Sequence, residues 1–323
     1  AKDIFFQNLD FHKFTQYQSL ILGEILINGA DLRYTSVDAD STNENSNNET
    51  KEYPFDTLLL KDIAIDKILL TNAKISMDHA YISNKNLTIP DLWMLAEGIK
   101  YNPLAAADKS RIFYSDNMMA KAENLSMGLP KSLSSIHIDA LEVNSKDSSF
   151  HAKNFALIPL VSKYDYGPTK GYQATWLSIG NNSLDMEKVD FLNIINSNTF
   201  DANKIVVNKL DMSVFRDKRV PFPEWQRRPL PQVTLRELDF KINIDTVDLH
   251  DGYVSYQEYG EKALSTGEVF FSNVDARITN ITNDTDKIKI HPHTNLAAQA
   301  SIFGKGKVHA EFQFDMQNPD NIH

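Results

Sequence analysis

The stretch from Ile242 to Tyr256, INIDTVDLHDGYVSY, decides the fold because the chain repeats its pattern. Apolar and polar residues alternate, pause at Asp251-Gly252, and then alternate again. Three further copies read LILGEILINGADLRY (20–34), IAIDKILLTNAKISM (63–77) and IHIDALEVNSKDSSF (136–150), and a weaker copy, IVVNKLDMSVF, spans 205–215. The spacing between copies is irregular, so a solenoid of fixed period is not expected.

Each full copy places apolar residues at its first, third, sixth and eighth positions. These are steps of two with one phase slip. Such a pattern is typical of a strand, a bulge or kink, and a continuing strand, whereas a helical stripe needs steps of three and four. We therefore predict a mostly β chain: an elongated, curled antiparallel sheet of repeated hairpin units that forms a groove, with one or two short helices.

The apolar positions of the copies are predicted to line one continuous face, because side chains alternate across a strand. The intervening Asp66, Asp139 and Asp245 are then expected on the opposite, wetter face. The predicted apolar face comprises Ile63, Ile65, Ile68, Leu70, Ile136, Ile138, Leu141, Val143, Ile242, Ile244, Val247, Leu249, Val254 and Tyr256.

A sheet with one apolar face must cover that face with helices, with a second sheet, or with something that is not protein. Pro90–Tyr101, PDLWMLAEGIKY, has helical spacing, and Glu187–Ser197 predicts a second short helix. Two short helices cannot cover so much sheet. The remaining options are a sandwich, a closed barrel or β-helix, and a curled sheet whose concave apolar face holds a ligand.

Composition excludes several classes of function. The chain has 323 residues and a formal net charge of −10, which argues against a nucleic-acid partner because phosphate binding depends on clustered Lys and Arg. Cysteine is absent, so disulfides and thiolate metal sites are excluded. No run of eighteen apolar residues occurs, so no segment is expected to span a bilayer as a helix.

Residues 1–323 are predicted to form a single elongated β-repeat region. Ser36–Lys51, SVDADSTNENSNNETK, is almost wholly polar and predicts a flexible insertion. Both ends of the chain run directly into strand-like sequence, so we expect a fragment of a longer protein.

No motif indicates catalysis, so neither enzymatic activity nor a cofactor is expected. His291 and His293 would share one face of a strand, as a metal site requires, but Pro292 favours a turn and no further ligand stands at a recognisable spacing. No metal site is therefore predicted. Acidic pairs such as Asp245 with Asp248 are better explained by a solvated strand face.

One segment, Val214–Gln232, departs from the acidic background because it combines five cations with four prolines. The cations could contact anionic headgroups or a partner, since the guanidinium fork matches phosphate oxygens. The alternative is an ordered connector whose arginines pair with local carboxylates. The predicted headgroup or partner contacts are Arg216, Lys218, Arg219, Arg227 and Arg228.

The phrase DKRVPFPEWQRRPLPQ and the repeat that follows it resemble the AsmA-like envelope proteins of Bacteroidota, and the likeness covers roughly 134–283. The resemblance implies an amino-terminal membrane anchor, a periplasmic body and a long curled β-sheet with an apolar groove, akin to bridge-like lipid transfer proteins. The anchor itself would lie outside this fragment.

The sequence therefore favours a non-enzymatic, periplasmic envelope protein, anchored to the inner membrane in its full-length form. Its apolar groove would bind or conduct phospholipid or another acyl-chain lipid between the inner and outer membranes and so support outer-membrane biogenesis. The alternative is an all-β scaffold or adhesin module with a closed dry core and a surface binding site. The predicted lipid-binding residues are Ile63, Ile65, Ile68, Leu70, Ile136, Ile138, Ile242, Ile244, Val247 and Leu249.

Overall fold

The computed structural model describes residues 1–36, 60–79, 86–102, 110–223 and 230–318. Strands account for 63% of these residues and helices for 13%, and the strands form one large mixed sheet of 17 strands. The prediction of a mostly β fold is therefore confirmed. The predicted insertion at Ser36–Lys51 lies outside the described residues apart from Ser36, the last residue of a strand.

Backbone packing divides the chain into two compact units, one formed by Ala1–Glu123 and Asn144–Lys146, the other by Asn124–Val143 and Asp147–His323. That 1–323 forms a single elongated region stays a prediction. The elements that begin in the first unit are β1 (Asp3–Gln7), α1 (Phe11–Tyr17), β2 (Ser19–Asn28), β3 (Asp31–Ser36), β4 (Asp62–His79), β5 (Asn86–Tyr101) and β6 (Asn117–Leu129).

The second unit contains the remaining elements after a short 3-10 turn at Pro130–Ser132. They are β7 (Ser134–Asn144), β8 (Ser149–Lys153), β9 (Ala156–Pro159), α2 (Lys163–Lys170), β10 (Thr175–Gly180), β11 (Ser183–Glu187), α3 (Phe191–Ser197), β12 (Thr199–Asn208), β13 (Asp211–Asp217), α4 (Pro231–Arg236), β14 (Lys241–Tyr259), β15 (Thr266–Thr282), α5 (Thr285–Ile290), β16 (His293–Ile302) and β17 (Gly306–Asp315).

In the first unit, two copies of the repeat lie side by side as parallel strands. β2 pairs with the first half of β4, so that Leu20 lies opposite Ile63 and Ile25 opposite Ile68. β3 continues along the second half of β4, where Tyr34 lies opposite Met77. Equivalent positions of the two copies are thus direct neighbours, and the sequence repeat is also a repeat in space.

The same arrangement recurs in the second unit around β14, which carries the stretch 242–256. The first half of β14 pairs in parallel with β12 and the second half with β13. The weaker copy, 205–215, spans the end of β12 and the start of β13. The pairing of β14 with β15 shifts register on both sides of Gly252, and Asp251 has a positive φ of 52°. The pairing is therefore irregular at the Asp251-Gly252 pause of the repeat, while β14 continues through it.

Parallel neighbours need a long connection, because the chain must return to the end at which it started. The connection between β13 and β14 contains the Arg- and Pro-rich segment from Lys218 onward, and the connection between β3 and β4 contains the polar segment that ends at Lys51. The two stretches of unusual composition therefore occupy equivalent places, each between two parallel copies of the repeat.

Two details of the predicted fold are wrong. The sheet is mixed and not purely antiparallel, since β4 and β14 each run parallel to the preceding copy. The predicted helix at Pro90–Tyr101 belongs to β5, which pairs with β4 from Asn86 to Tyr101. Gly98 has a φ of +62° and is skipped in the pairing of β5 with β4. Because one residue is skipped, Ala96 and Ile99 lie three residues apart and yet pair with two apolar residues of β4, Ile68 and Ile65. A strand slip thus produced a helical spacing.

The second predicted helix is confirmed, because α3 occupies Phe191–Ser197 within Glu187–Ser197. The described residues contain five short helices in place of the one or two expected. Four of them begin at a side-chain cap, which satisfies a backbone N–H that the first turn leaves unpaired. Asp10 caps α1, Ser162 caps α2, Asp190 caps α3 and Asp284 caps α5.

Candidate functional site

An apolar cluster lies on one side of β12 and β14 in the second unit. Val189, Ala202 and Ile205 form its buried centre. The side chains packed against this centre are only partly buried: Phe150, Leu184, Met186, Phe191, Phe200, Val207, Ile244 and Val247. Two predicted lipid-binding residues, Ile244 and Val247, therefore share one apolar surface, as the repeat pattern requires.

Polar side chains occupy the other side of the same strands. Asp245 is exposed and accepts a hydrogen bond of 2.8 Å from Asn203 Nδ2. Asp248 is buried, and its carboxylate accepts bonds from Arg277, at 2.6 Å from Nε and 3.2 Å from Nη2. Lys204 Nζ lies 3.2 Å from the same carboxylate. The hydrogen bond from Arg277 is the main reason why the pKa of Asp248 lies below its ordinary value.

Most of the predicted apolar face remains partly open to solvent. Only Ile65 and Ile138 are buried, with 8% and 9% of their surface exposed. The other eight predicted lipid-binding residues are half-buried: Ile63, Ile68, Leu70, Ile136, Ile242, Ile244, Val247 and Leu249. On β14 the polar Asn243 and Asp248 are more completely buried than the apolar Ile244 and Val247. The apolar side of this strand is therefore only partly covered, whereas its polar side contains both buried residues and the exposed Asp245.

In the first unit, a cavity of about 880 Å³ opens at the start of β2 and β4. Ile21, Ile63 and Ala64 contribute apolar surface to it, together with Tyr17 of α1. Three lysines, Lys13, Lys61 and Lys100, and one carboxylate, Asp62, also line it. The cavity thus combines apolar walls with an excess of positive charge, and it includes one predicted lipid-binding residue.

Exposed apolar side chains of β1 and α1, in the same unit, were not predicted from the repeats. Every residue of β1 is exposed, and α1 buries none of its residues. The large apolar side chains concerned are Ile4, Phe5, Phe6, Phe11, Phe14 and Tyr17, with exposed fractions between 41% and 66%. The sequence signal was the dense run of aromatic residues in DIFFQNLDFHKF, which precedes the first copy.

The cations of the Arg- and Pro-rich segment differ in their partners. Lys218 Nζ lies 2.8 Å from Glu258. Arg219 forms a fork with Asp217, at 2.9 Å from Nε and 2.6 Å from Nη2, and its guanidinium lies 3.7 Å from the centre of the Tyr259 ring. These contacts favour the connector interpretation for both residues. Arg227 and Arg228 lie outside the described residues, and a headgroup role for any of the five cations stays a prediction.

Arg216 is different. Its Nη2 donates a 3.0 Å hydrogen bond to the Thr175 hydroxyl, whereas its Nε is buried without a hydrogen-bond partner. Within the described part of the chain, no carboxylate lies within ion-pair distance of the Arg216 guanidinium. Arg216 is therefore the one described cation of this segment without a carboxylate within ion-pair distance.

His291 and His293 line an open cavity of about 370 Å³ with Asp245, and the carbonyls of both histidines accept bonds from the Asn280 amide. No group of three or more metal-ligating side chains comes together among the residues that the structure describes.

In the described ranges, no helix has the length and apolar character needed to cross a membrane. No protein-family model, curated protein or solved structure matches the chain.

Proposed function

We propose that the protein is a non-enzymatic envelope protein whose apolar β-face binds acyl-chain lipid and conducts it between the inner and outer membranes. The observation that carries the proposal is the half-buried state of the repeat's apolar side chains. Eight of the ten residues predicted to contact lipid keep part of their surface open to solvent. A face of this kind gains free energy when an apolar ligand covers it.

Acyl chains suit such a face because their binding depends on area and not on specific polar contacts. Burial of a methylene contributes about 0.8 kcal/mol, so two ordinary tails would contribute on the order of 20 kcal/mol before the cost of immobilising them. Neighbouring repeats present equivalent apolar positions, as Leu20 and Ile63 do. An acyl chain could therefore exchange its contacts with one strand for similar contacts with the next strand.

The cavity of the first unit supports the same proposal. Its volume of about 880 Å³ lies in the range of small-molecule sites, and its lining pairs Ile21 and Ile63 with three lysines. An amphipathic lining of this type matches an anionic lipid, whose tail is apolar and whose headgroup is negative. Periplasmic location and an inner-membrane anchor belong to the proposal through the resemblance to AsmA-like proteins.

The test is solvent extraction of the purified 323-residue chain, with mass spectrometry of the extract. A soluble protein of similar size, purified in parallel from the same host, is the control for carried-over lipid. We expect acyl-chain lipid in stoichiometric amounts with the chain and only traces with the control. Equal traces in both samples, with no uptake of added fluorescent phospholipid by the chain, would favour the alternative of a scaffold with a closed core.

A further inference from the structure

A small, strongly cationic pocket lies in the second unit, apart from the apolar cluster. It has a volume of about 250 Å³ and is bordered by α2, β10, β13 and the turn before β7. Three of its lining residues are cations: Lys131, Lys170 and Arg216. No Asp or Glu stands among the described residues that line it. Since the whole chain carries a net charge of −10, this concentration of positive charge is local.

Arg216, which borders this pocket, has unused hydrogen-bonding capacity. Thr175 and Arg216 are direct partners in the pairing of β10 with β13, which explains the bond between their side chains. The buried Nε of Arg216 has no partner. A buried donor without an acceptor is costly, and burial of a charged one is more so, and a bound ion or water is one way to supply the missing acceptor.

A competing carboxylate, that of Glu258 on the neighbouring strand, is already engaged. Glu258 contributes to the electrostatic surroundings of Arg216, but its Oε1 lies 2.8 Å from Lys218 Nζ and its Oε2 accepts a 2.7 Å bond from the Tyr256 hydroxyl. Both oxygens of Glu258 therefore have other partners. Among the residues that the structure describes, none supplies the acceptor that the Arg216 Nε lacks.

The two lysines are placed by the local fold. Tyr166 is buried, and its hydroxyl donates a 2.7 Å bond to the Ser132 carbonyl, which holds α2 against the turn before β7. Lys170, in the last turn of α2, donates to the Lys131 carbonyl and lies 5.8 Å from the centre of the Tyr166 ring. Lys131 itself is exposed at the rim. Arg216, Lys170 and Lys131 thus all border the same small space.

We infer that this pocket binds a phosphate group. A tetrahedral anion offers enough acceptors for three cations at once, and the guanidinium fork of Arg216 fits two phosphate oxygens. A pocket of this volume is too small for a whole lipid or a drug-sized ligand. The phosphate could belong to a phospholipid headgroup or to a small free phosphate, and only the headgroup source rests on the proposed lipid-binding function.

The first experiment measures binding of inorganic phosphate to the purified chain by isothermal titration calorimetry. We expect saturable binding that Arg216→Gln and Lys131→Gln each weaken by about tenfold, the loss typical of one charge-assisted contact. Lys153→Gln is the matched control, because Lys153 is exposed on β8 of the same unit and does not line the pocket. Lys131 is exposed, so its substitution leaves folding intact even if Arg216→Gln does not fold.

The second experiment identifies the source of the phosphate by co-sedimentation with phosphatidylglycerol vesicles. Loss of sedimentation in Lys131→Gln and in the presence of excess inorganic phosphate would assign the pocket to headgroups. Phosphate binding without vesicle binding would assign it to a free phosphate. Absence of phosphate binding in the wild type, or equal weakening by Lys153→Gln, would overturn the inference. Lipid extraction reports separately on the apolar face, so the two proposals can fail independently.

Discussion

Ala202 and Ile205 lie three residues apart on β12, yet both side chains pack into the same apolar cluster. Simple alternation would send them to opposite faces of the sheet. In the parallel register of β12 and β14, Ala202 lies opposite Ile244 and Lys204 lies opposite Thr246. Asn203 and Asp245, which lie between these two pairs, are not paired. The side chains of these two residues bond to each other on the polar side, so both strands slip together and the apolar face stays continuous.

The same slip occurs in the first unit. The pairing of β2 with β4 omits Gly23 and Asp66, and that of β4 with β5 omits Asp66 and Gly98. Just beyond the slip, Lys67 Nζ donates to Glu24 at 3.0 Å. The aspartate at the fourth position of the repeat therefore marks the slip in both units. Because the slip recurs, the gap of three residues between the apolar third and sixth positions of the repeat is explained by the strand pairing.

We predict that Ala202 and Ile205 respond alike to changes in side-chain volume. Ile205→Ala should lower the free energy of unfolding by about 2–4 kcal/mol because it leaves a cavity in the cluster. Ala202→Leu should lower it by about 1–3 kcal/mol because the cluster has no room for the added carbons. Urea denaturation measures both.

Asn203→Ala is the control for the slip, since Asn203 is exposed and loses a single hydrogen bond. Its cost should stay below about 1 kcal/mol. A fully tolerated Ala202→Leu, beside a costly Ile205→Ala, would indicate that the two residues face opposite ways and that β12 does not slip.

Sequence reasoning recovered the repeated strands, the slip between the third and sixth positions, and the wetter position of Asp66 and Asp245, because each depends on local pattern. It did not recover the parallel pairing of β2 with β4, which depends on the path of a long connection and not on strand composition. The error at Pro90–Tyr101 has a related cause. The slip at Gly98 depends on the neighbouring strand, and the sequence of β5 alone cannot distinguish that slip from a helical turn.

The cationic segment shows a second limit of sequence. Lys218 and Arg219 are cations of the same segment as Arg216, yet each of these two forms an ion pair with a carboxylate. Glu258, the partner of Lys218, lies forty residues along the chain and reaches it because β13 pairs with β14. The distinction between paired and unpaired cations therefore requires the strand register, which composition does not contain.

A second prediction concerns pH and the buried carboxylate of Asp248. Its pKa is lowered from an ordinary value of 3.8, first by the hydrogen bond from Arg277, while burial opposes the shift. A lowered folded-state pKa means that the ion pair stabilises the protein fully above pH 3.8, and that this stabilisation is lost as pH falls through the folded-state value. Asp248→Asn should therefore lower the free energy of unfolding by about 1–2 kcal/mol at neutral pH. The loss is limited because Arg277 is exposed and solvent screens its charge.

Urea denaturation at neutral pH and at about pH 3 checks this prediction. The difference in stability between wild type and Asp248→Asn should shrink at the lower pH. Asp211→Asn, at an exposed position of β13, should show little difference at either pH. A gap between wild type and Asp248→Asn that stays constant with pH would contradict the assignment of the stabilisation to the charged carboxylate.

A third prediction separates structural cations from binding cations. Arg219→Lys should lower the melting temperature, because lysine cannot reproduce both the fork with Asp217 and the stacking on Tyr259. Lys218→Gln should lower it less, since the pair with Glu258 is partly exposed. Neither substitution should reduce the binding of inorganic phosphate. A loss of phosphate binding in Arg219→Lys comparable to that in Arg216→Gln would assign Arg219 to the anion site instead.

The last prediction distinguishes an open apolar face from a closed core at Leu249. Leu249 is half-buried on β14. If it lines an open face, Leu249→Asp places a carboxylate where water can reach it, so the chain should still fold while the amount of co-purified lipid falls. If it lies in a closed core, the same change buries an unpaired charge, which commonly costs several kcal/mol and prevents folding. Ile244→Asp should be the more destabilising change in either case, because Ile244 packs against the Ala202 cluster.

Two control variants isolate the effect of charge on this face. Leu249→Met keeps an apolar side chain of similar volume and should preserve both folding and bound lipid. Thr246→Asp introduces the same carboxylate on the other side of β14, opposite Lys204 in the strand pairing, and should also preserve lipid. The measurements are the melting temperature and the phospholipid extracted per mole of protein. Unfolding of Leu249→Asp, together with a wild type that never carries lipid, would reject the open face in favour of a closed core.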